Sequence, residues 1–206
     1  MTPSIPKSKL IPLLDAAWHE CGYTSPRPQG HAWSCRGYYL DSMGKRGVND
    51  RGINDDAIGW LSDSADYRVQ ANVDPSAFRD GVASLRAPQV VWYRPGWHGY
   101  ASVYGHPAFR QDSNVVVKRD GTEAFKKGAT HRKFGVCLGN GFWTDMGFGE
   151  KFWTNLHRQS GSGTSSLGCQ TIPRATWTAF HALVTAELKR LGMERFPCII
   201  LQGPIN

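Results

Sequence analysis

The chain has 206 residues, 40% apolar and 12% aromatic, which excludes a disordered protein and suits a single core with some elaboration. Lys and Arg outnumber Asp and Glu by 24 to 17, a formal charge of +7. The positive residues are scattered, with short clusters only at Lys118-Arg119, Lys126-Lys127 and Arg132-Lys133, so they favour general attraction to an anionic surface over a specific nucleic-acid groove.

The five cysteines are odd in number, widely spaced and without a CxxC pair, so neither a disulfide framework nor a structural zinc ribbon is expected. Near the N-terminus the only apolar run is Leu10-Ile11-Pro12-Leu13-Leu14, too short for a secretory leader, and no run approaches a membrane span. The expectation is a protein made and left in the cytosol of its producer, reaching any cell wall by another agent's help.

Residues 7–21 predict a short helix with Leu10, Leu13, Leu14, Ala17 and Trp18 on one side and Gly22 at its end. Pro12 is tolerable there only near the first turn. Ser25 to Gly30 reads as loop. Residues 36–63 are glycine-rich and read as a long structured loop, with Asn54 or Asp55 capping a short helix over Asp56–Leu61.

Strands are predicted at Tyr67–Asn72, Gln89–Arg94, Asn114–Lys118, Lys133–Leu138 and Phe152–Leu156, with Asp120-Gly121 as a hairpin turn and Arg94–Tyr100 as loop. After Pro173, Trp177, Phe180, Val184, Leu188 and Leu191 recur at helical spacing up to Gly192. Cys198 to Leu201 reads as a buried final strand. The fold class is mainly β (α+β), a β-sandwich or barrel with peripheral helices. Residues 1–206 form one domain, with an N-terminal elaboration over about residues 1–65.

One segment concentrates chemistry. A predicted strand delivers His157, a Gly/Ser loop follows, and Ser166-Leu167-Gly168-Cys169 makes a turn before the last helix. A thiol must lose its proton to attack a carbonyl, and an imidazole within hydrogen-bond reach can take it. Gly168 permits a sharp turn beside the thiol, and N–H groups there are placed to form an oxyanion hole. Spacing alone leaves open a second possibility, in which Cys169 is a buried structural thiol and His157 a loop residue.

The Ser-x-Gly-Cys segment with an upstream histidine resembles the L,D-transpeptidase catalytic domain, most specifically over residues 133–173. The histidine precedes the cysteine, the reverse of papain-like enzymes, and His181 after Cys169 falls on the predicted helix. The resemblance implies an L,D-transpeptidase-like β fold, attack by Cys169 on a peptide bond of bacterial peptidoglycan, and a thioester intermediate. It implies His157 as base, the main-chain carbonyl of Arg158 orienting it, Gly168 and Cys169 as oxyanion donors, and Ser166 bracing the turn. Gln170 and Thr171 stand where the family has substrate-handling residues.

No metal or cofactor is implied. The layout also resembles phage and prophage wall-degrading enzymes, in which water would resolve the thioester. The leading expectation is therefore a murein stem-peptide hydrolase of endolysin type. Alternatives are an L,D-transpeptidase or L,D-carboxypeptidase, and a non-catalytic basic protein that binds envelope or nucleic acid.

Other candidates carry less. His98 and His106 with Asp112 offer metal-ligand chemistry but lack HxH or HExxH spacing. Glu20 or Glu150 is a candidate acid for a muramidase. Trp92-Tyr93 and Phe142-Trp143 are candidates for stacking on sugars. His131 lies within the resemblance and has no assigned role.

Overall fold

The computed structural model describes residues 5–39, 51–74, 82–99, 105–119, 134–137, 143–144, 153–161, 164 and 166–203. In chain order the elements are α1 (Lys7–Glu20), β1 (His31–Cys35), β2 (Asp56–Leu61), β3 (Asp66–Ala71), β4 (Ala83–Leu85), β5 (Gln89–His98) and β6 (His106–Gln111). They continue with β7 (Val115–Arg119), β8 (Phe134–Cys137), β9 (Trp143–Thr144), β10 (Leu156–Arg158), β11 (Gln170–Ile172), α2 (Arg174–Leu191) and β12 (Phe196–Leu201). The protein is mainly β, as the predicted elements suggest.

Among the described residues, eight strands form one sheet in the order β11-β10-β6-β5-β12-β1-β2-β3. Its two edges meet: Asn72, just past β3, exchanges two 2.8 Å backbone hydrogen bonds with Thr171 of β11. The sheet is thereby nearly closed on itself, which hides the exposed edges an open sheet would present. A second sheet, β4-β7-β8-β9, holds four strands.

Alternation along the strands divides the core in two. In β12, Phe196, Cys198 and Ile200 point to one side, where Trp177, Phe180, Val184 and Leu188 of α2 pack with Phe109 and Trp60. Ile199 and Leu201 point to the other, where Leu10, Leu14, Ala17 and Trp18 of α1 pack with Trp33 and Tyr38. Each helix thus covers one face of the same strands.

The sequence reading of both helices matches the described elements within one or two residues. Pro12 lies deeper in α1 than its first turn, on the exposed side, where water can reach the carbonyl that the proline leaves unpaired. Gly192 closes α2 in a left-handed conformation (φ +65°).

Three expectations are corrected. Asp56–Leu61 is strand β2, not a helix. It is buried on both faces; Asn54 and Asp55, the expected caps, precede a strand, and the Asp56 carboxyl accepts from the backbone N–H of Gly37 and Val73. The loop expected over residues 94–100 is strand through His98, because pairing with β6 overrides Pro95 and Gly96. The strand expected at 152–156 lies later, so that His157 sits within β10 rather than beyond it. Residues 1–65 supply β1 and β2 to the main sheet, between β12 and β3. The Asp120-Gly121 turn lies outside the described residues.

Candidate functional site

The site forms where three strands of the main sheet end together. The β5–β6 pairing sets His98 directly opposite His106. β10 lies on the other side of β6, with Leu156 opposite Phe109. Leu156 enters the core, so its neighbour His157 projects from the opposite face. The His157 ring stacks on His98 at 3.8 Å between centroids with planes 14° apart, and the His106 ring is 5.3 Å away.

β11 runs parallel to β10 with His157 level with Thr171, which brings Cys169, immediately before β11, back beside the histidine. One potential ligand atom from each of His98, His157 and Cys169 lies within 4.8 Å of the others.

The turn carrying Cys169 is held from within. Ser166 Oγ accepts from the Gly168 N–H at 2.9 Å and donates to the Cys169 carbonyl. Gly168 has φ +153°, a conformation that residues with a Cβ rarely adopt. The Leu167 carbonyl accepts from the Ala83 N–H of β4 at 2.8 Å, tying the turn to the second sheet. Because the Gly168 N–H is engaged by Ser166, it points into the turn in this resting arrangement.

Beneath the thiol lies a buried polar network. Gln111 Oε1 accepts from both the N–H and the hydroxyl of Thr154, while Tyr93 Oη donates to the Thr154 carbonyl at 2.9 Å and accepts from Gln170 Nε2. The network fixes residues 153–155, and the Trp153 carbonyl there accepts from Cys169 Sγ at 3.3 Å. Gln170 and Thr171, expected to face substrate, are fully buried; Gln170 belongs to this network and Thr171 to the closing bridge.

His157 Nδ1 donates to the Arg158 carbonyl at 2.6 Å, which leaves Nε2 as the ring's basic nitrogen. His106 Nε2 lies 3.4 Å from the same Nδ1. Asn155 Nδ2 donates to His98 Nδ1 at 3.3 Å, and Asn155 Oδ1 accepts from the Gln111 N–H, which sets the amide's orientation.

Burial, reinforced by His98, pushes the His157 pKa down to about 3 against the smaller upward pull of the Arg158 carbonyl. Burial and His106 bring His98 down to about 4. Both rings are neutral near pH 7. The thiols of Cys35 and Cys198 are driven up by burial, Cys198 to about 12, so neither is poised for nucleophilic chemistry.

Cys169 is only 8% exposed, yet Leu167 (49%) and Trp97 (46%), each close to a site residue in the chain, are the large apolar residues most open to solvent among those described. Leu167, two residues before Cys169, provides apolar surface beside the turn that carries the thiol, whereas Trp97 projects from the strand face opposite His98. Arg110 stacks its guanidinium over the Trp153 ring at 4.4 Å.

The remaining candidates fall elsewhere. Asp112 pairs with Arg94 and Arg195 at 3.4 and 3.5 Å instead of joining the histidines. His181 stacks on Phe109 at 4.8 Å. Glu20 is exposed at the end of α1. Trp92 donates to Tyr23 and lies under Arg195, and Tyr93 is buried, so neither ring forms an open platform for a sugar. His131, Phe142 and Glu150 lie outside the described residues, as does the Trp143 side chain. Set against protein-family models, curated proteins and solved structures, the chain matches none of them.

Proposed function

We propose that the protein is a cysteine-dependent hydrolase of bacterial peptidoglycan stem peptides, related in fold to the L,D-transpeptidases and of the endolysin type. The observation that carries this is the approach of Cys169 to an imidazole whose Nδ1 is held by the Arg158 carbonyl. That arrangement leaves one basic nitrogen for the thiol proton, as nucleophile activation requires.

Cys169 and His157 rest as a neutral pair. On substrate binding the thiol turns from the Trp153 carbonyl, and His157 Nε2 takes its proton as Sγ attacks the scissile carbonyl carbon. The tetrahedral oxyanion is stabilised by backbone N–H groups of the turn. For Gly168 to contribute, its N–H exchanges Ser166 Oγ for the oxyanion. Collapse breaks the C–N bond, and the leaving amine receives the proton from His157. A water then gives its proton to the same nitrogen and attacks the thioester, and the departing sulfur recovers that proton. Leu167 supplies apolar contact for the stem, and the basic surface favours an anionic wall.

Purified peptidoglycan digested by the wild type and by Cys169→Ala, with products resolved by mass, tests the proposal. Shortened or released stems from the wild type alone are the expected result. New cross-links instead would assign a transpeptidase. Equal digests would remove the cysteine mechanism and favour a non-catalytic envelope-binding protein.

A further inference from the structure

We infer that His98, His157 and Cys169 form a binding site for a zinc ion, occupied in competition with catalysis. The set is absent from any local motif and exists only because the β5–β6 register and the β10–β11 turn bring the residues together. Two imidazoles and a thiol are the ligand types zinc prefers, and their candidate ligand atoms lie within 4.8 Å of one another. Zinc–nitrogen and zinc–sulfur bonds of roughly 2.0–2.3 Å require those atoms to close by about an ångström, which side-chain rotation at the end of a strand can supply.

The surroundings match a metal-binding histidine. His157 donates its Nδ1–H to a backbone carbonyl, fixing the tautomer that presents Nε2, and His106 lies 3.4 Å from that same Nδ1. Three protein ligands leave a fourth position for water.

Binding is balanced simply. The Cys169 thiol leaves the Trp153 carbonyl and gives up its proton to solvent, its sulfur forms the zinc–thiolate bond, and His98 Nδ1 exchanges the hydrogen bond it accepts from Asn155 for the bond to zinc. No oxidation is involved. Ligation consumes both the nucleophile and the basic nitrogen, so the zinc form is inactive. This inhibitory half rests on the proposed hydrolase, whereas the binding half does not.

The test separates the two. The full chain is stripped with a chelator and titrated with zinc by calorimetry, then with cobalt(II) by absorption, without substrate. One ion per chain and a thiolate-to-cobalt charge-transfer band are expected. Cys169→Ala should lose the band. His98→Gln should weaken zinc binding by at least about tenfold, and His106→Ala by about 10–100-fold with the band retained. Circular dichroism confirms that each variant is folded, and His157→Asn provides a second ligand variant. Absence of stoichiometric binding by the wild type, or equal binding by Cys169→Ala and His98→Gln, would overturn the site. Peptidoglycan digestion by the stripped chain should stop on adding zinc and return with chelator; activity that instead required zinc would overturn the inhibition. A stripped chain that binds zinc but digests nothing removes the hydrolase and leaves the metal site standing.

Discussion

At the scale of single residues, the site depends on one neutral histidine and one braced turn. His157→Gln should lower peptidoglycan digestion by about 10²–10⁴-fold, the usual worth of a general base, with little change in thermal midpoint; equal rates would remove His157 from the mechanism. Ser166 makes two hydrogen bonds in the turn. Ser166→Ala leaves buried backbone groups unsatisfied and should cost about 1–3 kcal/mol in the stability of that region, read as faster amide exchange at 166–169. Iodoacetamide should label Cys169 well before Cys35 and Cys198, whose burial raises their thiols, and peptide mapping reads the order directly.

At the scale of elements, α2 is tied to the β2–β3 turn by one carboxylate. Glu187 accepts from Ser62 Oγ at 2.6 Å, Ser64 Oγ at 3.0 Å and Arg190 Nε at 2.8 Å, and more weakly from Trp60 Nε1. Arg190, then the serines and Trp60, hold its pKa down to about 2 against an ordinary 4.5. The folded pKa is the depressed one, so its stabilisation is complete above about pH 4.5 and lost as pH falls towards 2. Glu187→Gln should flatten that part of the acid-denaturation curve; an unchanged slope would discount the carboxylate. Elements are also where sequence legibility divides. The helices are legible because Leu10, Leu14 and Trp18, or Trp177, Phe180 and Val184, repeat at helical spacing. β2 is not, because a strand buried on both faces has no alternation, and Asn54 and Asp55 just before it mimic helix caps. Cys169, His157 and Ser166 are legible because they lie in one short segment. His98 and His106 are legible only as candidate metal ligands with Asp112; that they stand beside His157 is set by sheet register, a relation that local spacing does not carry.

At the scale of the whole molecule, the near-closed sheet is locked by a buried ion pair. Arg36, just past β1, holds Asp74 beyond β3 at 2.7 Å and donates to the Leu85 carbonyl of β4, joining both sheets, with side chains only 5% and 6% exposed. Arg36→Ala strands a buried carboxylate and should cost about 3–5 kcal/mol in chemical denaturation; a loss below 1 kcal/mol would show the lock to be dispensable. The β10–β11 pairing sets Cys169 beside His157, and the Asn72–Thr171 bridge ties that same β11 to the end of β3, so the fold and the proposed chemistry share one strand. The covalent intermediate is the most direct test of that chemistry. Wild-type protein mixed with soluble murein peptides, quenched in acid during turnover, should gain the mass of an acyl stem fragment on the peptide containing Cys169, and Cys169→Ala should gain none. Turnover with no adduct at any quench time, or an adduct that persists in Cys169→Ala, would contradict a thioester at Cys169.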